Sequence, residues 1–147
     1  MTHAEFRRGE FVVSTDPELI SVDRVHEFLS RSYWSPGVGR EVVERSIRHS
    51  LCFGLYREEE QIGFGRVVTD YASFGYVADV YVLEEWRGRG LGKWFIECIV
   101  AHPDLQSLRR LLLATRDAHG LYRKIGFKEL AHPEFHMERR PQGWRDP

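Results

Sequence analysis

Apolar positions along the chain switch between runs, alternation and steps of three and four, and each switch marks an element. Phe11-Val12-Val13 predicts a short strand. Asp16-Pro17 then reads as an N-cap with proline in the first helical position. From there Leu19, Val22, Val25, Leu29 and Tyr33 lie on one helical face. Ser35-Pro36-Gly37 breaks that helix, and a second is predicted from Gly39 to His49. Leu51–Tyr56 and Ile62–Val68 read as strands of a hairpin around the polar turn Arg57-Glu58-Glu59-Glu60. Gly75–Leu83 is the longest β-like run, rich in Val and Tyr.

After a break at Glu84–Gly90, Leu91, Trp94, Phe95, Cys98 and Ile99 form a clean helical stripe that His102-Pro103 ends. Leu111–Ala114 predicts a short buried strand. Asp117 is placed to cap a last short helix with Ala118, Leu121, Tyr122 and Ile125 on one face. Gly126 stands at its C′ position. Phe135–Glu138 completes the series as a final strand, giving the order β-α-α-β-β-β-α-β-α-β. Strand–helix–strand crossings in the second half make this a mixed α/β fold.

The chain has 147 residues, a length for one domain, predicted here from Phe11 to Glu138. Met1–Glu10 and Arg139–Pro147 are polar and read as a loose N-terminus and a C-terminal tail. With 21 Lys and Arg against 22 Asp and Glu, the net charge is −1. A nucleic-acid binder or a polybasic membrane-surface protein should be strongly basic, so neither is expected. No apolar run approaches the roughly 18–20 residues of a membrane-spanning helix, and Met1–Glu10 lacks the apolar core of a signal peptide. Cys52 and Cys98 are far apart and form no CxxC pair, which points to a reducing cytoplasm and to no metal site. His132 and His136 are four apart with Pro133 between them, in a segment read as extended surface.

Charge matters most between Val80 and Lys93, where a strand ends, a turn of Gly and Arg follows and an amphipathic helix begins. The first amides of a helix have no partner inside it, and the helix dipole favours an anion there. Gly88, Gly90 and Gly92 let the backbone approach a phosphate, and Arg87, Arg89 and Lys93 add positive charge. A diphosphate is the natural ligand. The dinucleotide fingerprint GxGxxG fails because Lys93 stands where its third glycine belongs. A Walker A loop fails because Arg87 and Trp94 occupy its first glycine and its Ser/Thr position.

Arg87-Gly88-Arg89-Gly90-Leu91-Gly92 resembles the acyl-coenzyme-A loop of the GNAT superfamily of N-acetyltransferases, Arg/Gln-x-x-Gly-x-Gly/Ala, at every fixed position. Leu121-Tyr122-Arg123-Lys124-Ile125-Gly126-Phe127 is similar to the family's second signature, Leu-Tyr-x-x-x-Gly-Phe. The two motifs stand in the right order and on the predicted elements. The resemblance spans most of the chain, from Phe11 to Met137, and implies a mostly antiparallel central sheet of six to seven strands flanked by about four helices.

The resemblance also implies the chemistry. Acetyl-CoA would be the acyl donor, its diphosphate on the amides of Arg87, Gly88, Arg89, Gly90, Leu91, Gly92 and Lys93. Its pantetheine arm would pair with backbone groups of Val80, Tyr81 and Val82 in a gap beside that strand. A primary amine of a small molecule would attack the acetyl thioester directly. Tyr122 matches the family's general acid, a phenol of pKa near ~10 that can protonate a leaving thiolate; its other reading is packing beside Leu121 and Ile125. Asp79, alone in an apolar strand, is the candidate base or ammonium holder, or else a structural hydrogen-bond acceptor.

Asp117 falls where many relatives have asparagine, which leaves its contact to the cofactor open. Tyr33-Trp34-Ser35-Pro36-Gly37 and Asp70-Tyr71-Ala72-Ser73-Phe74 flank the expected acceptor site. Their rings, with Asp70 and Asp79, suggest a small amine held between aromatic faces and carboxylates. A non-catalytic acyl-CoA-binding module on the same fold is the alternative. Monomer and homodimer both stand.

Overall fold

A computed structural model describes residues 3–146. Its core is a six-stranded sheet in the order β1-β2-β3-β4-β5-β6, the order of the sequence. The strands are β1 (Glu5–Arg8), β2 (Phe11–Ser14), β3 (Leu51–Arg57), β4 (Glu60–Thr69), β5 (Phe74–Val82) and β6 (Arg110–Leu113). Every pairing is antiparallel except β5 with β6. The helices are α1 (Val22–Ser30), α2 (Arg40–Arg48), α3 (Leu91–Val100) and α4 (His119–Arg123). The parallel pair follows from α3, which carries the chain across the sheet from β5 to β6. Among the described residues no helix is long and apolar enough to cross a membrane.

Each face of the sheet buries its own cluster. Val13, Phe53, Leu55, Ile62, Val67 and Val77 pack beneath Leu91, Phe95, Cys98 and Ile99 of α3. Cys52, Phe64 and Tyr81 face the other way, against Val25 and Leu29 of α1 and Val43 of α2. Period-2 alternation on the strands and the 3.6-residue stripes on the helices therefore meet in two layers of apolar contact.

Several expectations change. The polar N-terminal stretch contains β1, whose register from Glu5↔Ser14 to Arg8↔Phe11 closes a hairpin at Gly9. The helix expected from Asp16 begins five residues later. Asp16 caps only a 3-10 turn, Pro17–Leu19, and Ile20 is extended. Ser21 then caps α1 by accepting from the Arg24 N–H. β4 fixes that start, because Gln61 Oε1 accepts from the Ser21 N–H at 2.8 Å and Gln61 O from Arg24 Nη1 at 3.1 Å.

The final strand is absent. Pro133–Phe135 is a 3-10 turn, and Phe135 and Met137 are 73% and 99% exposed, so the alternation there has no sheet to pack on. Asp117 does not cap α4. Thr115 Oγ1 takes the Ala118 N–H, leaving Asp117 exposed beside Arg116. Gly126 does take the positive φ (100°) expected after that helix.

Candidate active site

The site begins with a fault in the sheet. The register of β4 against β5 passes from Phe64↔Tyr81 to Arg66↔Ala78, so Asp79 and Val80 together oppose Gly65. This is a β-bulge, and Asp79 sits in it at φ 56°. A bulge bends its strand, and β6 follows β5 only from Phe74↔Arg110 to Val77↔Leu113. Beyond Val77 the two parallel strands part. A cavity of about 500 Å³ opens between them, lined by Ala78, Asp79 and Val80 on one side and by Ala114 to Ala118 and Tyr122 on the other. A larger apolar cavity, about 840 Å³, lies behind β6 between Val100, α4 and residues 127–133, away from the bulge.

Backbone directions along β5 follow from the ladder. The Leu83 N–H bonds to Ile62 O on β4, so alternation turns Tyr81 towards β4 and Val82 and Val80 towards the open edge. The Tyr81 ring lies in the core, stacked on Phe28 at 3.8 Å. The Val82 carbonyl accepts from Arg87 Nε at 2.9 Å, so Arg87 pins the end of β5.

The glycine turn leads from β5 into α3. Gly88 and Gly90 have φ of 80° and 77°, a conformation other residues rarely adopt. A Cβ on Gly88 or Gly92 would meet nothing within 4 Å, so the backbone there lies open. Gly90 is the N-cap of α3 and supplies no side-chain acceptor, which leaves the first-turn amides uncapped. Leu91 is buried in the core, while Arg89 and Lys93 are exposed. The Arg89 guanidinium lies over the Trp86 ring at 4.7 Å. Sequence reasoning missed Arg8, whose Nη1 reaches within 3.5 Å of Gly90 O from β1. Nothing in the local pattern signals it; only the pairing of β1 brings it there. Uncapped amides, open glycines and these cations fit a diphosphate.

Asp79 is fully engaged. Its Oδ1 accepts from Trp34 Nε1 at 2.8 Å and its Oδ2 from Arg66 Nε at 2.7 Å. Arg66 and Asp79 are 18% and 11% exposed, so the pair is shielded. Trp34 belongs to the α1–α2 loop, and its bond ties that loop to the bulge. Tyr33 beside it packs under the Arg116 guanidinium at 3.7 Å and accepts from the Arg116 N–H at 3.3 Å. Loop α1–α2 thus closes one mouth of the wedge.

Asp70 is not available to a ligand. Its Oδ1 accepts from the N–H groups of Ala72, Ser73 and Phe74, and its Oδ2 from the Ser73 hydroxyl. Those bonds, led by Ser73, hold its carboxyl well below the usual range.

Tyr122 lines the cavity and packs edge-on against Phe127, ring centroids 5.5 Å apart. Burial, with a smaller effect of Tyr33, pushes its phenol up to about 12. Burial likewise pushes the Cys52 and Cys98 thiols up to about 12, so neither is a thiolate near neutral pH. The wedge therefore holds a protonated phenol, an engaged carboxylate and an open strand edge, with uncapped amides and cations at the head of α3.

Comparison with known proteins agrees with this geometry. Residues 48–129 match the family model described as an acetyltransferase (GNAT) domain. FG08082 of Gibberella zeae, which carries an acetyltransferase name, is 36% identical over 146 residues, covering 83% of this chain and 81% of that protein. The crystal structure of the GNAT-family protein xcc2953 of Xanthomonas campestris pv. campestris superposes with TM-score 0.87 at 45% identity, over 91% of this chain and 95% of that one. A Clostridium acetobutylicum acetyltransferase solved with acetyl-CoA shares the fold at TM-score 0.66 and 15% identity, over 88% and 94%. The chain belongs to the GNAT family of acetyltransferases.

Proposed function

We propose that this acetyltransferase moves the acetyl group of acetyl-CoA directly to a primary amine of a small molecule. The observation that carries the reading is the wedge between β5 and β6, with the uncapped head of α3 at its side and Tyr122 on its wall. The donor supplies an activated thioester. Amides of the Gly88–Lys93 turn, with Arg8, Arg89 and Lys93, hold its diphosphate, and the open edge of β5 at Val80 and Val82 takes the pantetheine amides. Leu91 contributes only its amide, and Arg87 acts by fixing the end of β5.

As the nitrogen–carbonyl bond forms and the carbon–sulfur bond breaks, Tyr122 gives its proton to the departing sulfur, the nitrogen gives its own up to solvent, and the phenol regains one from solvent. With the Tyr122 phenol at about 12, its proton is in place throughout the working range. Asp79, with both oxygens bonded, acts as a positioning residue: it holds Trp34 and Arg66 around the bulge. Asp117, exposed and outside the helix cap, has no part in this reading. Direct transfer is supported by the two buried, protonated cysteines, which offer no acetyl-accepting thiolate.

The test is thiol release from acetyl-CoA over a panel of amines, with product mass and resistance to hydroxylamine separating amide from ester. Tyr122→Phe should lower kcat by on the order of 100-fold at every pH from about 6 to 10, with acetyl-CoA affinity held. An unchanged kcat would remove Tyr122 from the reaction.

A further inference from the structure

The wedge cavity is lined by Arg66, Arg116 and Arg140 against Asp79 and Asp117. Arg66 is already committed, its Nε to Asp79 and its Nη1 to Ser50 Oγ at 3.2 Å. Arg116 and Arg140 are different. Each sets its guanidinium carbon over a ring, Arg116 3.7 Å from the Tyr33 centroid and Arg140 4.3 Å from that of Trp144. Cation–π attraction to the ring holds such a guanidinium in place while leaving N–H donors to bond elsewhere. Their acidic partners are Asp117 and Glu138, both at 3.5 Å. These pairs are solvent-exposed, with 64% and 66% accessible for Arg116 and Asp117, and pairs of that kind are weak enough to be exchanged for a ligand.

Placement separates these cations from the diphosphate site. Tyr33 belongs to the loop after α1, and α1 and α2 pack on the sheet face opposite α3. Arg8, Arg89 and Lys93 stand at the head of α3. The chain thus carries two arginine-bearing places, and the second borders the expected acceptor mouth. Among the residues lining the cavity, three arginines stand against two carboxylates. Asp79 is bonded through both oxygens, which leaves exposed Asp117 as the lining carboxylate set against Arg116 and Arg140.

We propose that the acceptor is an amine bearing an anionic group, carboxylate or phosphate, which Arg116 and Arg140 grip at the mouth of the wedge. The inference rests on the amine-acetyltransferase reading above. Planar guanidinium forks match either oxyanion. The part of the chain after Glu138 then belongs to the site, because it supplies Arg140.

The experiment compares kcat/KM within matched pairs: phosphoethanolamine with ethanolamine, and an α-amino acid with its amide, with spermidine as the cationic probe. The anionic member should lead its pair at least tenfold, and the pair with the larger ratio identifies the oxyanion. Arg116→Ala and, separately, Arg140→Ala should each collapse that ratio through KM, with KM for acetyl-CoA unchanged. Arg116→Lys should restore part of it. Equal loss on both members of a pair would show a merely structural arginine and overturn the inference. Faster transfer to spermidine or to the neutral amines would overturn it while leaving the transferase reading intact. No transfer to any amine, with acetyl-CoA still bound, would overturn the transferase reading and the inference together.

Discussion

Asp79 decides how the residues of this site divide their work. A carboxylate whose two oxygens already accept from an indole N–H and a guanidinium is committed to holding the bulge together. Its position in the sequence suggested a base or ammonium holder, or else a structural hydrogen-bond acceptor. The bonds that engage it come from residues 45 and 13 positions away, which no local pattern reveals. Asp79→Ala should cost about 3 kcal/mol by leaving the shielded Arg66 charge unpaired, and Asp79→Asn less, since it can still accept from Trp34. Both variants should keep the acid limb of the kcat/KM profile where it is. Loss of that limb in Asp79→Asn, with the fold intact, would return Asp79 to the role of base.

His102 gives a second residue-scale prediction. The side chain is 6% exposed, packs edge-on against Phe53, and its Nδ1 accepts from the Asp104 N–H. Burial lowers its pKa, partly opposed by Asp104. The unfolded chain therefore binds a proton before the folded one does. Stability is whole above the unfolded value near ~6.5 and falls as pH drops through and below it. His102→Asn, which keeps an acceptor for Asp104, should flatten the urea-unfolding midpoint between about pH 7 and 5. An equally steep fall in the variant would place the proton uptake elsewhere.

At the scale of elements, the strands and α3 were readable because one period runs uncontested through each. Leu51–Tyr56, Ile62–Val68 and the Leu91–Ile99 stripe became β3, β4 and α3 with shifts of a residue or two at their ends. What misled was local chemistry outranked by distant partners. Asp16-Pro17 has every mark of a helix start, yet Gln61 on β4 anchors the start at Ser21. Phe135–Glu138 has strand composition, but it pairs with no strand among the described residues and meets β6 only through the side chains of His136 and Arg110. The polar Glu5–Arg8 has no strand composition, yet pairs with β2 along its whole length. The bulge, the feature that opens the wedge, leaves no sequence mark beyond a lone Asp in an apolar run.

Glycines make the element scale testable with opposite signs. A Cβ on Gly63 would lie 2.8 Å from the Tyr81 carbonyl and 3.1 Å from Leu55 Cβ, where β4 supports the end of β5. Backbone cannot step aside there, so Gly63→Ala should destabilise by about 1–3 kcal/mol. Gly120 in α4 has nothing within 4 Å and an ordinary φ, so Gly120→Ala should stabilise by about 0.5 kcal/mol. Chemical denaturation of both variants checks the pair. The same sign for both would mean that crowding at Gly63 is relieved by movement of β5.

On the scale of the whole molecule, a net charge of −1 hides an uneven distribution. Most acids are engaged in surface pairs or turns, while arginines gather at the head of α3 and at the mouth of the wedge. Each group is gathered from distant parts of the chain: Arg8 of β1 meets the glycine turn after β5, and Arg116 after β6 shares the cavity with Arg140 near the C-terminal end. Both family motifs and the fold class could be read in the sequence because each is local or periodic. The two ends of the chain, which looked peripheral, could not, because their contribution is purely one of position.

Thermal unfolding with and without acetyl-CoA tests most directly whether the glycine turn beside the wedge is the donor site. At about 100 times its dissociation constant, acetyl-CoA should add roughly 2.7 kcal/mol, a rise of several degrees, with ATP and NAD causing little change. No rise with acetyl-CoA, or an equal rise with ATP or NAD, would contradict the account.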